Sequence, residues 1–197
     1  MTLYSFGPSP FGRKIKVLLA ELGMKEQVKV EAANTLEDPD FLLSSNPLGK
    51  IPVLKTEKDG DISNSSLIAR YLLEQAGSGA AVRANWDDLR LEAMIDGALD
   101  ASILIVYKTR FEIPGGDAFY QRQKDKVNRT LDRLEAMVPE LRTDGVPSLG
   151  ELHVVVLAEY LDFRMPVGVW RATRPKLSAY AEALGQRPSF QSTQPTA

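Results

Sequence analysis

The 197-residue chain carries 24 Lys and Arg against 26 Asp and Glu, with 44% hydrophobic residues and a formal net charge of −2 at pH 7. This balance gives no electrostatic case for nucleic acid or an anionic membrane, and no apolar run is long enough to cross a bilayer. The absence of cysteine excludes disulfides, thiolate metal sites and a protein-borne thiol nucleophile, so any thiol chemistry must use a ligand's sulfur. The length suits one large domain or two small ones. Met1–Ser5 lacks the basic, apolar and small-residue sections of a signal peptide, so the expected location is the cytoplasm.

Thr2-Leu3-Tyr4-Ser5-Phe6 alternates like a strand, and Gly7-Pro8-Ser9-Pro10 interrupts it. A helix follows, with Phe11, Ile15, Leu18, Leu19 and Leu22 on one apolar face, Arg13, Lys14, Lys16 and Glu21 elsewhere, and Gly23 as its stop. Ser9 then stands at the N-cap with Pro10 at the first helical position, which explains the serine without any chemistry. Val28–Glu31 reads as a second strand, and Leu36–Ser45 as a short helix or loop. In Asn46–Leu54, Pro47 and Gly49 mark a turn and Ile51-Pro52-Val53-Leu54 a proline-led strand. Lys58-Asp59-Gly60 turns the chain into another short strand, and a helix begins at Asn64 or Ser65.

Asn46–Leu54 resembles the N-P-x-G-x-[IV]-P-x-L stretch of the cytosolic glutathione transferases. The resemblance implies a thioredoxin-like domain over 1–77, followed by an all-helical domain over 86–197. It implies a structural cis proline at Pro52, with Ile51 pairing its main chain to the cysteinyl part of glutathione. Asn64 and Ser65 fall where the γ-glutamyl end is gripped, and Lys50 where the glycyl carboxylate is met. Asn64 stands where the family usually has Glu, Gln or Asp; its amide oxygen can accept the same hydrogen bond without the charge. Ser9-Pro10-Phe11-Gly12 resembles the serine-type loop of the tau and zeta classes, which makes Ser9 the candidate catalytic residue. A hydroxyl donating to the glutathione sulfur at the positive end of a helix favours thiolate over thiol. Tyr4 lies one position from where the tyrosine classes carry theirs and reads as strand packing; Ser5 is a weaker rival.

Gly77–Ala81 has the composition of a linker. Trp86–Phe111 is a long helical stretch whose Gly97, Ala98, Ala101 and Ser102 could admit a close neighbour, a partner subunit included. Pro114-Gly115-Gly116 ends it, and Val127, Leu131, Leu134, Val138 and Leu141 repeat as the stripe of a second helix. Ser148 and Glu151 form a capping box opening a third helix, apolar around most of its circumference and so the expected axis of its domain. Leu177, Ala181 and Leu184 mark a last helix, and the closing Arg187-Pro188-Ser189-Phe190 resembles the tail of bacterial transferases.

His153, the only histidine, sits on the apolar helix and reads as a core imidazole. Metal ligation has no convergent spacing, and Asp87-Asp88 and Asp59-Asp61 read as a helix start and a turn rather than paired acids. The expected protein is a cytoplasmic homodimeric glutathione transferase of detoxification type with no permanently bound cofactor. It would take glutathione as co-substrate and conjugate its sulfur to a small hydrophobic electrophile in a cleft between the domains. Phe11, Tyr107, Phe111 and Trp170 are the candidates to line that cleft. The alternatives are a non-catalytic binding or regulatory module, and glutathione-dependent peroxide reduction at the same site.

Overall fold

β1 (Thr2–Ser5) is the strand on which the first unit is assembled, because it is paired on both edges. In this computed structural model, which describes residues 1–77, 82–142 and 144–195, four strands lie in the order β2-β1-β3-β4. β1 leads through α1 (Pro10–Glu21) to β2 (Lys29–Ala32), which returns parallel to it as a strand-helix-strand crossover requires. α2 (Asp40–Ser45) precedes β3 (Val53–Lys55), antiparallel to β1, and β4 (Asp61–Ser63) pairs antiparallel to β3. α3 (Ser65–Ala76) completes the thioredoxin-like plan. Tyr4 and Val53 pack with Ala33 and Leu42 on one face of the sheet; Leu3 and Leu54, one step along each strand, point to the other. The second strand begins and ends one residue later than the sequence suggests, and the proline-led strand starts only at Val53.

The chain divides into two compact units, Met1–Arg83 together with Arg187–Ala197, and Ala84–Gln186. The closing residues expected to end the helical domain therefore group with the first unit, where α8 (Pro188–Gln191) packs on α1. Of the expected linker Gly77–Ala81, only Gly77 lies within the described residues.

The second unit contains α4 (Trp86–Arg110), α5 (Asp117–Met137), α6 (Leu149–Arg164) and α7 (Pro175–Gly185). α6 is buried at every residue from Leu149 to Ala158, as an axis apolar all round must be. It approaches α4 so closely at Gly150 that a Cβ there would lie 3.0 Å from the Asp88 carbonyl oxygen. The stripe predicted to run through Leu141 stops early: Val127, Leu131 and Leu134 are buried, but the chain tightens into a 3-10 turn over Val138–Glu140. The small residues of α4 divide. Ala98, Ala101 and Ser102 are buried within this single chain, and only Gly97 faces open space.

Candidate glutathione site on the first unit

Tyr4 pairs with Val53, and Val53 pairs with Ser63. That row lies at the C-terminal end of β1, the N-terminal end of β3 and the C-terminal end of β4, so three loops leave the sheet at one end. They carry Ser9, then Lys50-Ile51-Pro52, then Asn64-Ser65. Two strand spacings separate the outer pair, about 10 Å, which is also about the length of three extended residues.

Ser9 is the N-cap of α1, and its Oγ accepts the Gly12 N–H at 3.1 Å. Acceptance leaves the hydroxyl hydrogen to donate, so capping and donation to a ligand are compatible in one side chain. α1 has no acid in its first turn, so that turn does not itself compensate the positive end of the helix dipole. Gly12 is required there, since a Cβ would fall 2.1 Å from Ser5 Oγ. Ser5 is accordingly buried beneath α1, and Tyr4 is packed against Phe41 with ring centroids 5.0 Å apart. Both are packing residues.

The Ile51–Pro52 bond is cis, and Ile51 lies two residues before Val53, where the registers of β3 with its two neighbours end. The turn that presents it is pinned by the buried Asn46. Its Nδ2 donates to the Lys50 carbonyl at 2.8 Å, and its Oδ1 accepts from the Leu48 N–H at 3.2 Å. Lys50 itself is exposed. Asn64 caps α3, its Oδ1 accepting from Ser66 at 3.0 Å and Leu67 at 3.2 Å, with φ at 78°. A non-glycine residue in that region is costly, and such outliers cluster at ligand sites. Ser65 is buried as the first residue of α3.

A family profile described as "Glutathione S-transferase, N-terminal domain" matches residues 8–75, which hold Ser9, Lys50, Ile51, Pro52, Asn64 and Ser65. The uncharacterized GST-like protein YibF of Escherichia coli K12 is 33% identical over 202 residues, covering 99% of this chain and 98% of the relative. The chain belongs to the glutathione transferase family. A family member from Pseudomonas fluorescens Pf-5, solved with bound glutathione, is 33% identical with a TM-score of 0.89 over 100% of this chain and 99% of that one. A second structure from that species, with bound S-(propanoic acid)-glutathione, is 33% identical with a TM-score of 0.85 and covers 100% of both chains.

The expected electrophile residues separate. Phe11 is half-buried on α1. In the second unit Tyr107 and Phe111 are 39% and 46% exposed and meet edge to face, with centroids 5.3 Å apart. Trp170 is only 2% exposed, and its indole N–H donates to Asp162 at 2.9 Å, so it is a packing residue of this family member. Burial pushes the Tyr160 phenol up to about 12 despite the opposing Arg164 charge, so Tyr160 offers no phenolate near neutral pH. His153 is buried with its Nδ1 3.5 Å from Glu92, as a core imidazole is expected to be. Among the described residues no group of His, Asp and Glu could hold a metal ion, and no helix is long and apolar enough to cross a membrane.

Sequence reasoning missed the basic face of α1. Arg13 and Lys14, assigned to the polar side, are among the largest fully buried side chains. Arg13 Nη2 donates to the Phe190 carbonyl at 3.4 Å and lies over that ring at 6.0 Å; Lys14 reaches Ser65. The closing tail covers this helix. Arg187 clasps Glu21 through two hydrogen bonds, and Ser189 Oγ donates to the same carboxylate at 2.5 Å. The Arg187-Pro188-Ser189-Phe190 resemblance was the available signal, but it did not say which helix the tail would meet.

Proposed function

We propose that this chain is a glutathione transferase in the working sense: it binds the tripeptide along the shared end of its sheet and conjugates its sulfur to a small electrophile. The carrying observation is the Tyr4–Val53–Ser63 row, which brings Ser9, Ile51 and Ser65 to one end over a span that fits three extended residues. Ile51 offers its main chain to the cysteinyl unit, Ser65 its hydroxyl to the γ-glutamyl end, and Lys50 its ammonium to the glycyl carboxylate. Ser9 donates to the sulfur, and with the α1 dipole it favours thiolate. Lowering a thiol from about 8.5 to about 6.5 takes roughly 2.7 kcal/mol, within reach of one such bond and a helix start. The thiolate then attacks the electrophilic carbon, the new C–S bond replacing the bond to a leaving group. Phe11, Tyr107 and Phe111 are the remaining aromatic candidates to contact the electrophile. The Pseudomonas relative's ligand, a glutathione carrying propanoic acid on sulfur, has the form of such a conjugate. A cytoplasmic homodimer is expected on family grounds rather than from the small residues of α4.

Ser9→Ala should lower turnover with a chloronitrobenzene-type electrophile by about 100-fold while calorimetry still detects glutathione binding. Lost binding with unchanged turnover per bound ligand contradicts the role given to Ser9. One observation favours the non-catalytic module: the Asn64 oxygen, expected to take the ligand's ammonium, already accepts two backbone N–H groups. Undetectable glutathione affinity in the native protein would select that reading.

A further inference from the structure

The packing of Ser5 beneath α1 leaves its hydroxyl unaccounted for. Ser5 is 3% exposed, and its Oγ has no hydrogen-bond partner among the described residues. A buried hydroxyl without a partner is costly, and alanine would occupy the same place without that cost. The main chain is fixed here: Ser5 ends β1 in register with Ala32, and its carbonyl accepts the Ala33 N–H at 2.9 Å. Ser9 is its neighbour under the first turn of α1, since a Cβ at Gly12 would meet Ser5 Oγ at 2.1 Å and Ser9 Cβ at 3.6 Å. The loop between the two serines is closed by the Ser9 N–H, which donates to the Phe6 carbonyl at 3.0 Å. A serine oxygen has two lone pairs and one hydrogen. At Ser9 the Gly12 N–H takes one lone pair and the proposed thiolate the hydrogen, which leaves one lone pair. The two hydroxyls make no direct hydrogen bond, and one water molecule, with two bonds of about 2.8 Å, reaches between neighbours so placed.

We propose that Ser5 is a positioning residue for the sulfur-binding hydroxyl: it donates to a buried water, which donates in turn to the remaining lone pair of Ser9. The proposal rests on the glutathione reading and deepens it by naming what stands behind Ser9. A hydroxyl that accepts two hydrogen bonds is polarised into a stronger donor, so Ser5, water and Ser9 together stabilise thiolate more than Ser9 alone. Gly12 belongs to the same device, because a side chain there would displace the Ser5 hydroxyl.

The test follows the ultraviolet absorbance of thiolate in the glutathione complex of the full chain as pH is varied. Ser5→Ala should raise the titration midpoint of the bound thiol by about half a unit to one unit, which is about three- to tenfold less thiolate at a fixed pH below it. In a Ser9→Ala background the same substitution should shift nothing, because Ser5 acts through Ser9. An unchanged midpoint in Ser5→Ala, or an equal shift with and without Ser9, overturns the proposal. Circular dichroism reports whether Ser5→Ala folds. If it does not, Ser5→Gly takes its place, with the same shift expected and the same outcomes overturning it. A native protein that binds no glutathione overturns the glutathione reading and the role of Ser5 with it. Native thiolate that Ser9→Ala abolishes and Ser5→Ala leaves intact overturns only the role of Ser5.

Discussion

At Asn85 and Ser148 the second unit closes its helix starts twice over, whereas at Ser9 and Asn64 the first unit closes its own only once. Asn85 accepts from Asp87 and Asp88, and the Asp88 carboxylate takes the Asn85 N–H at 2.9 Å. Ser148 accepts from Glu151, whose carboxylate takes the Ser148 N–H at 2.7 Å and the Arg142 N–H at 2.9 Å. α1 and α3 have caps of the same residue types but no acid in the first turn. An acid there would place negative charge where the proposed site would hold an anionic ligand. The cap residue alone therefore does not separate the two folding caps from the two helix starts proposed to meet the ligand; the returning acid, present at the first pair and absent at the second, does.

The strongest way to break this comparison is Glu151→Ala. It strands two backbone donors, one of them in the fully buried Ser148, at about 1–3 kcal/mol each. A loss of about 3 kcal/mol or more is expected in denaturant unfolding, and a shift below 1 kcal/mol would show that the returning acid closes nothing. A sharper version sets two serines side by side. Ser148→Ala should cost about 1–2 kcal/mol of stability, and Ser9→Ala less than about 1 kcal/mol because water reaches its helix start. Equal melting shifts for the two variants would remove the distinction between closed and open caps.

What could be read from the chain follows the same division. The Ser148 box, the α3 start and the Asn46–Leu54 turn were legible because each is closed within a few residues. Asp87-Asp88 read correctly as a helix start for the same reason. The burial of Arg13 and Lys14 was not legible, since their partners Phe190 and Ser65 lie 177 and 51 residues away. Periodicity places a charged side chain off the apolar face, and nothing local says that a distant tail will cover it. Trp170 failed in a smaller way. Its aromatic surface suggested a ligand wall, but the Asp162 acceptor eight residues earlier takes its N–H and draws it into the core. The three site loops were each visible as sequence, but their convergence depends on strand register, which no local pattern specifies.

The smallest predicted effect concerns an acid at the opposite end of α1. Glu21 stands at the last residue of α1, where the helix dipole is negative and a carboxylate is disfavoured, in contrast to Asp88 and Glu151 at helix starts. Burial alone would raise its pKa, but hydrogen bonds from Arg187 and Ser189 and the Arg187 charge outweigh it and hold the carboxyl below its ordinary value of 4.5. Because Glu21 titrates lower in the folded chain than in the unfolded one, its contribution is complete above the ordinary value. That contribution is lost as pH falls through 4.5 and on past the lowered folded value. Glu21→Gln should therefore destabilise the protein by about 1 kcal/mol at neutral pH, since the ion pair is partly exposed. The gap between the variant and the native protein should narrow steadily below about pH 4. Melting curves at several pH values test this: no gap at neutral pH would mean that the tail is held without the Glu21 charge, and a gap that stays constant into acid would mean that the variant's loss does not come from ionisation of the carboxyl. A closing gap would show that the Glu21 charge, held at the far end of α1 from its open start, ties down the end of the chain.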